Sequence, residues 1–258
     1  MKLKWVLLLM IVVAAGAFYV QERSSEDPEF INSTVSDSGT AVAGTLNAVG
    51  LHDAAVIWVD TVTPLAPADT ELLRQKGSAL TALGNYEEAS ACYDLLIIEN
   101  TSDATALAGK AIAAYRLGDM NTSYACALDA IAIDPSDLGA LERAGAASIG
   151  LGRYEEAVEY YDQIVTISPG DTDAWIQKGD ALLSISILME QEMKTMYSDL
   201  GKEGVTVGIL DIDPYMEAME CYNRAISLDP KVAPMLASRM LARSQMTINT
   251  CQEILENL

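Results

Sequence analysis

A motif that returns every 34 residues is the feature that most constrains how this chain can fold. The stretch Gly152-Arg153-Tyr154-Glu155-Glu156-Ala157 is matched two periods earlier by Gly84-Asn85-Tyr86-Glu87-Glu88-Ala89. Gly118 stands at the glycine mark between them, and Gly50 does so one period before Gly84. A fixed period of this length indicates stacked units, because a single unit cannot bury its own apolar face.

The spacing resembles the tetratricopeptide repeat (TPR), a helix–turn–helix unit whose helices A and B pack closely through small residues. In a frame that starts at residue 36, the positions at which the family has characteristic residues (its marks) follow in order. The apolar marks of helix A are Leu73, Leu107, Leu141 and Trp175, its small marks are Ala43, Gly77, Ala111, Gly145 and Gly179, the turn glycines are Gly50, Gly84, Gly118 and Gly152, and the small marks of helix B are Ala55, Ala89, Ser123 and Ala157. The resemblance implies an all-α solenoid, in which helix pairs wind into a right-handed superhelix.

Five such repeats are expected within residues 36–232, followed by one more helix. Their expected bounds are 36–69, 70–103, 104–137, 138–171 and 172–232, the last with an insertion at about 186–212. The final residues, 233–258, have apolar residues at helical spacing and are predicted to form a capping helix. Solenoids need such a helix to cover the exposed face of the last repeat.

The insertion has two halves with different patterns. In residues 185–200 apolar residues recur at intervals of three and four, which predicts that helix A of the fifth repeat continues for about three more turns. From residue 201 valines alternate with other residues around glycines, and this half is predicted to return as an extended arm. Either the arm covers the apolar stripe locally, or Met189, Met193 and Met196 stay partly exposed as an adaptable partner surface.

Residues 1–20 have the pattern of a targeting segment. Lys2 and Lys4 precede an uncharged apolar run at 5–20, whose length is compatible with a cleaved signal peptide and with a transmembrane anchor. Under both interpretations the positive end stays in the cytoplasm. The predicted localisation is therefore the cell membrane, with a single span and extracytoplasmic repeats, or secretion. Residues 21–35 are polar and acidic, and they are predicted to form a flexible tether.

The net charge of −21 and the isoelectric point near 4.2 limit the kind of partner. Nucleic acid is not expected, because phosphate binding needs clustered lysine and arginine. The acidity indicates either a solvated surface or a face that selects a basic partner.

Patterns of catalytic and metal sites are missing from the sequence. The single histidine, His52, stands where other repeats have Tyr86 and Tyr154, and it is expected to pack rather than to catalyse. The glutamate pairs 87–88 and 155–156 fall in the first turn of helix B, where carboxylates favour the helix dipole. The sequence contains no phosphate-loop motif and no C-x-x-C motif. We therefore expect a protein that is not an enzyme and that needs neither cofactor nor metal.

Three of the four cysteines, Cys92, Cys126 and Cys221, occupy equivalent positions of different repeats. Helices of adjacent repeats lie about 8–10 Å apart, whereas a disulfide needs Cα atoms within about 7 Å. These cysteines are therefore predicted to be buried free thiols.

Binding is the function that these observations favour. In the family that the repeats resemble, a concave groove is lined by helix A at frame positions 2, 5, 9, 12 and 13. The groove residues that this implies here include Arg74, Ser78, Ile112, Tyr115, Arg116, Glu142, Ile176, Asp180 and Leu183. Such a mixture suits an extended peptide held by apolar contacts and a few charges. The clamp for chaperone tails known in this family is missing, since Ser78 and Gly109 stand where asparagines are expected.

The leading hypothesis is a non-enzymatic interaction scaffold, anchored in the membrane through residues 5–20 or exported, that binds a protein or peptide in the groove. Two alternatives stay open. One is a cytoplasmic adaptor of the co-chaperone type, which the N-terminal segment and the missing clamp disfavour. The other is a non-catalytic subunit of an envelope enzyme complex.

Overall fold

The computed structural model describes residues 28–65, 69–200 and 213–257. Within these ranges the chain forms eleven α-helices and two 3-10 turns, and it contains no β-strand. The helices are α1 (Pro28–Ala48), α2 (His52–Val62), α3 (Thr70–Leu83), α4 (Tyr86–Glu99), α5 (Ala104–Leu117), α6 (Met120–Ile133), α7 (Leu138–Gly150), α8 (Tyr154–Ile167), α9 (Thr172–Leu200), α10 (Asp213–Leu228) and α11 (Ala233–Asn257). The predicted all-α class is confirmed for the described residues, and the handedness of a superhelix stays a prediction.

The helices belong to two compact units. The first extends to Gly118 and contains α1 to α5, and the second starts at Asp119 and contains α6 to α11. From α1 to α10, odd-numbered helices occupy the position of helix A and even-numbered helices that of helix B. Within each unit every helix packs against the next one along the chain, which is the arrangement expected of stacked helix–turn–helix repeats.

An aspartate N-cap that returns every 34 residues sets the start of four A helices. Its carboxylate accepts a hydrogen bond from a backbone N–H of the first turn, which has no partner within the helix. The donor and acceptor pairs are Leu72 to Asp69 (3.1 Å), Ala106 to Asp103 (3.0 Å), Ala140 to Asp137 (3.2 Å) and Ala174 to Asp171 (3.0 Å). The turn that follows helix A contains a glycine with φ between 74° and 83° at Gly50, Gly84, Gly118 and Gly152. Only glycine adopts this conformation without strain.

Glycines of helix A lie directly against tyrosine rings of helix B. A Cβ atom added at the glycine would lie 3.0 Å from the ring for Gly77 and Tyr93, 2.9 Å for Gly145 and Tyr161, and 2.5 Å for Gly179 and Tyr222. Tyr93 also faces Gly109 of α5, where an added Cβ would lie 2.3 Å from the ring. The ring of Tyr93 therefore fills the space between two A helices, and it is 4% exposed.

The prediction of buried free thiols is confirmed for Cys92, Cys126 and Cys221. Burial raises the pKa of the Cys221 thiol to about 11, and it also raises the pKa of Cys92. Because the thiolate is the reactive form, a raised pKa lowers the reactivity of Cys92 and Cys221 at neutral pH.

One sequence-based boundary and one number of helical turns need correction. Helix α1 begins at Pro28, so the prediction of a flexible tether is wrong for residues 28–35. Proline has no N–H and a preset φ, which makes it a favourable first residue of a helix. Helix α9 has 29 residues, whereas α3 has 14. Its extra residues, 186–200, make about four turns rather than three.

Other predictions fall on residues outside the described ranges. These are the targeting segment at 1–20 and the extended arm after residue 200. Met193 and Met196 belong to α9, but the exposure of their side chains is not described. Among the helices of the three described ranges, none has both the length and the apolarity needed to cross a membrane.

Helix α11 packs on α10 and also along the extension of α9. A buried ion pair joins α11 to this extension. The guanidinium of Arg243 lies 2.5 Å from the carboxylate of Glu190, and their side chains are each 6% exposed. Arg243 also donates to the hydroxyl and to the carbonyl oxygen of Ser186, both at 3.3 Å. Nearer its start, α11 buries Leu236 completely against Ile176 and Tyr222.

We expect Gly109→Ala to lower the free energy of unfolding by about 1–3 kcal/mol, because the new methyl group would overlap the ring of Tyr93. Alanine in a helix normally stabilises by about 1 kcal/mol relative to glycine, so the sign of the change is diagnostic. Gly44→Ala is the matched control, since its nearest neighbour would be the side chain of Gln75 at 3.8 Å. Urea unfolding measures both variants. A Gly109→Ala protein as stable as the parent would contradict the packing described above.

We expect Arg243→Met to lower the stability by about 3–5 kcal/mol, because it leaves the carboxylate of Glu190 buried without its counter-ion. The double variant with Glu190→Leu should recover most of this loss. Arg153→Met is the control, since the pair of Arg153 with Glu156 is 3.8 Å long and nearly half exposed, and a change below about 1 kcal/mol is expected there. If thermal unfolding shows the single and double variants to be equally unstable, the ion pair does not hold α11.

Candidate peptide-binding site

In the first unit, none of the five predicted groove residues is fully buried. Ser78 of α3 and Arg116 of α5 are exposed, and Ile112 and Tyr115 of α5 are partly exposed. They combine a hydroxyl group, an aliphatic surface, a phenol ring and a cation on two consecutive A helices. This is the kind of surface that can hold an extended peptide.

The fifth residue, Arg74, has a structural role. Its guanidinium lies 2.9 Å from Glu71 and 2.5 Å from Asp103, and its side chain is 24% exposed. The carboxylate of Asp103 also accepts the capping hydrogen bond of α5 from Ala106. Arg74 therefore links α3 to the start of α5, and its charge is already used within the protein.

A hydrogen-bonded network beside Arg74 was not predicted from the sequence. The amide of Asn47 on α1 donates to the backbone and side-chain oxygens of Gln75, each at 3.0 Å. Gln75 in turn donates to Glu71 at 2.8 Å. His52 lies 3.3 Å from the side-chain oxygen of Asn47, which is consistent with the expected packing role of this histidine. No period in the sequence marks this network, because Asn47 and His52 have no identical counterpart at the equivalent positions of other repeats.

In the second unit, the groove prediction places three residues on α9, and α11 or α10 covers each of them. Ile176 is 5% exposed and packs against Leu236 of α11. Leu183 is partly buried against a core cluster that includes Ala218 of α10. Ile176 cannot contact a ligand unless α11 moves away.

Asp180, the third of these residues, is engaged by two partners. The hydroxyl of Tyr222 donates to it at 2.7 Å, and Arg239 of α11 lies 2.5 Å from its carboxylate. Burial raises the pKa of Tyr222, and the hydrogen bond to Asp180 raises it further. These bonds tie α9, α10 and α11 together.

On α7, Glu142 is exposed and forms an ion pair with the adjacent Arg143. It is the one groove residue predicted for the second unit that stays exposed within the described part of that unit. Elsewhere in the described ranges, no cluster of three or more histidine, cysteine or acidic side chains could hold a metal ion.

In the first unit, the A helices α3 and α5 differ in charge from the B helices α2 and α4. The A helices α3 and α5 carry four basic residues and one acidic residue, whereas the B helices α2 and α4 carry six acidic residues and no basic one. Two ion pairs of 2.5 Å join the sides, Lys76 with Asp60 and Lys110 with Asp94. The hydrogen bond to Asp60 raises the pKa of Lys76. The net charge of the whole chain does not reveal that basic residues are concentrated on α3 and α5 and acidic residues on α2 and α4.

Family models of the tetratricopeptide repeat match three segments of the chain, residues 74–137, 138–181 and 215–232. No curated protein sequence matches it. The unmatched residues between 181 and 215 coincide with the extension of α9 and the residues that follow it.

Solved structures with a similar fold have low sequence identity to this chain. The crystal structure of the MamA protein is 17% identical, has a TM-score of 0.60, and covers 78% of this chain and 96% of its own. MamA 41-end from Desulfovibrio magneticus RS-1 is 16% identical, with a TM-score of 0.60 and coverages of 76% and 96%. YrrB, described as a TPR protein with an unusual peptide-binding site, is 15% identical, with a TM-score of 0.57 and coverages of 78% and 90%. At these identities the likeness establishes the fold alone. The chain therefore contains tetratricopeptide repeats in residues 74–181 and 215–232, and it has the helical fold of TPR proteins.

Proposed function

We propose that this protein is a non-enzymatic scaffold that binds a protein or peptide partner on the A helices of its first unit. The observation that carries the proposal is the set of side chains left accessible there, Ser78, Ile112, Tyr115 and Arg116. TPR folds are built for protein interaction, and the fold of this chain supports that general role.

The chemistry of these side chains suits a peptide backbone with one acidic group. Ser78 offers a donor and acceptor for a peptide unit, and Arg116 is a cation with no ion pair among the described residues. Ile112 and Tyr115 supply apolar surface beside it, and tyrosine and arginine are enriched at the centres of protein interfaces. The peptide-binding site of YrrB, a protein of the same fold, adds support.

We further propose that the scaffold is held at the membrane, or exported, by its N-terminal segment. Two lysines precede the uncharged apolar run of residues 5–20, and this order suits a segment that enters the membrane with its start in the cytoplasm. The repeats would then meet their partner outside the cytoplasm.

A photo-crosslinking amino acid placed at Ser78 should capture a discrete partner in cells that make the full chain, whereas the same group at Gln163 on α8 should not. Adding Tyr115→Ala with Arg116→Ala should reduce the adduct about tenfold, because truncating central contacts of an interface costs about 1–2 kcal/mol. Mass spectrometry identifies the adduct. Equal capture from both positions, or an adduct that survives the double substitution, would refute the proposed site.

Fractionation of the full chain in its native cells should place it with membranes or outside the cell. A matched variant with Leu8→Arg and Val12→Arg, which puts charges into the apolar run, should be recovered in the cytoplasm. An intact parent protein in the cytoplasm would exclude the proposed localisation and favour the adaptor hypothesis. Capture of an enzyme at Ser78 would instead favour the role of a non-catalytic subunit.

A further inference from the structure

The outward side of α2 and α4 carries large apolar side chains that no other part of the described chain covers. Ile57 is 60% exposed, Leu95 56% and Ile98 78%, and Ala91 lies exposed among them. We call these four residues the outer patch. It lies on B helices, so it is separate from the groove residues on α3 and α5.

The outer patch follows the geometry of one helix face. Ala91, Leu95 and Ile98 are spaced at i, i+4 and i+7, so they form a continuous stripe on α4. Helices α2 and α4 are the B helices of neighbouring repeats, and Val56 of α2 packs against a core cluster that includes Ala89 and Tyr93 of α4. Ile57 follows Val56 and occupies in α2 the position that Ala91 occupies in α4, one period later.

The repeats themselves show that packing does not require apolar residues at these positions. In α8 the residues two periods after Ala91, Leu95 and Ile98 are Glu159, Gln163 and Thr166, and all three are exposed. The same kind of helix therefore accepts polar side chains there. The fold therefore does not require apolar residues at these positions, yet Leu95 and Ile98 expose a large apolar surface to water.

The rim of the outer patch is acidic. Asp53, Glu87, Glu88 and Glu99 are exposed, and none of them forms an ion pair within the described residues. Neither α2 nor α4 contains a lysine or an arginine. A second copy of this chain would bring an equally acidic rim to the patch, and like charges repel. The charge complementarity therefore points to a basic partner.

We propose that the outer patch binds an amphipathic basic helix of a partner protein. Apolar residues of that helix, spaced by three and four, cover Leu95, Ile98 and Ile57. Its lysines and arginines flank this stripe and face the acidic rim. The scaffold then has two binding surfaces on its first unit, one on the A helices and one on the B helices.

The test uses the full chain and a fluorescent 18-residue peptide, with leucines on one helical face and lysines on both flanks. Fluorescence anisotropy should show binding that weakens as salt rises, because part of the attraction is between exposed charges. Leu95→Gln with Ile98→Thr should weaken binding at least tenfold. These changes copy Gln163 and Thr166, so the fold should persist, and circular dichroism checks this. Glu87→Gln with Glu88→Gln should weaken binding several-fold and reduce its salt dependence.

A control variant locates the binding. Gln163→Ala with Thr166→Ala on α8 should leave the affinity unchanged. The proposal is overturned if Leu95→Gln with Ile98→Thr binds the peptide as the parent does, or if Gln163→Ala with Thr166→Ala abolishes binding. It is also overturned if a scrambled peptide of the same composition binds equally well, since charge alone would then suffice. Light scattering tests whether a second copy of the chain occupies the outer patch instead. If the parent protein is a dimer and Leu95→Gln with Ile98→Thr makes it a monomer, the proposal is overturned.

Discussion

The close approach of glycine and tyrosine between helices is the interaction on which the rest of the structure depends. At Gly77, Gly145 and Gly179 the missing side chain lets a ring of helix B lie against the backbone of helix A. Protein interiors are packed as densely as organic crystals, so even one added methyl group is felt. Tyr93 extends this contact to the next repeat through Gly109, which means that one ring sets the spacing of two A helices. The accessible side chains of α3 and α5 owe their relative positions to it.

Much of the fold was accessible from the sequence because its signals are periodic. Turn glycines, small residues and the aspartates that cap the A helices all return with one spacing, and each return adds independent support. The start of α1 was missed because it precedes the first complete repeat, where no earlier copy marks the boundary. The extension of α9 to Leu200 was recognised from its own apolar spacing, although residues 186–200 have no counterpart in other repeats. The packing of α11 on this extension was not predicted, since a single ion pair between Glu190 and Arg243 leaves no periodic trace.

The candidate site was predicted less well than the fold, for a physical reason. A frame position tells which side of a helix a residue occupies, but not what covers that side. In the first unit Ser78 and Arg116 are exposed and Ile112 is partly exposed. In the second unit α11 packs on the same side of α9 and buries Ile176. Arg74 shows a related limit, because its charge is neutralised by Glu71 and by the Asp103 cap of a neighbouring helix.

The buried pairing of Arg243 with Glu190 has a consequence for how this protein can change through evolution. Helix α11 stands where helix A of a sixth repeat would begin, but its arginine fits only a partner that carries the extension of α9. Loss of the insertion would leave the cation of Arg243 buried without its carboxylate, which is costly. The extension of α9 and helix α11 are therefore coupled, so that a change in one of them requires a change in the other.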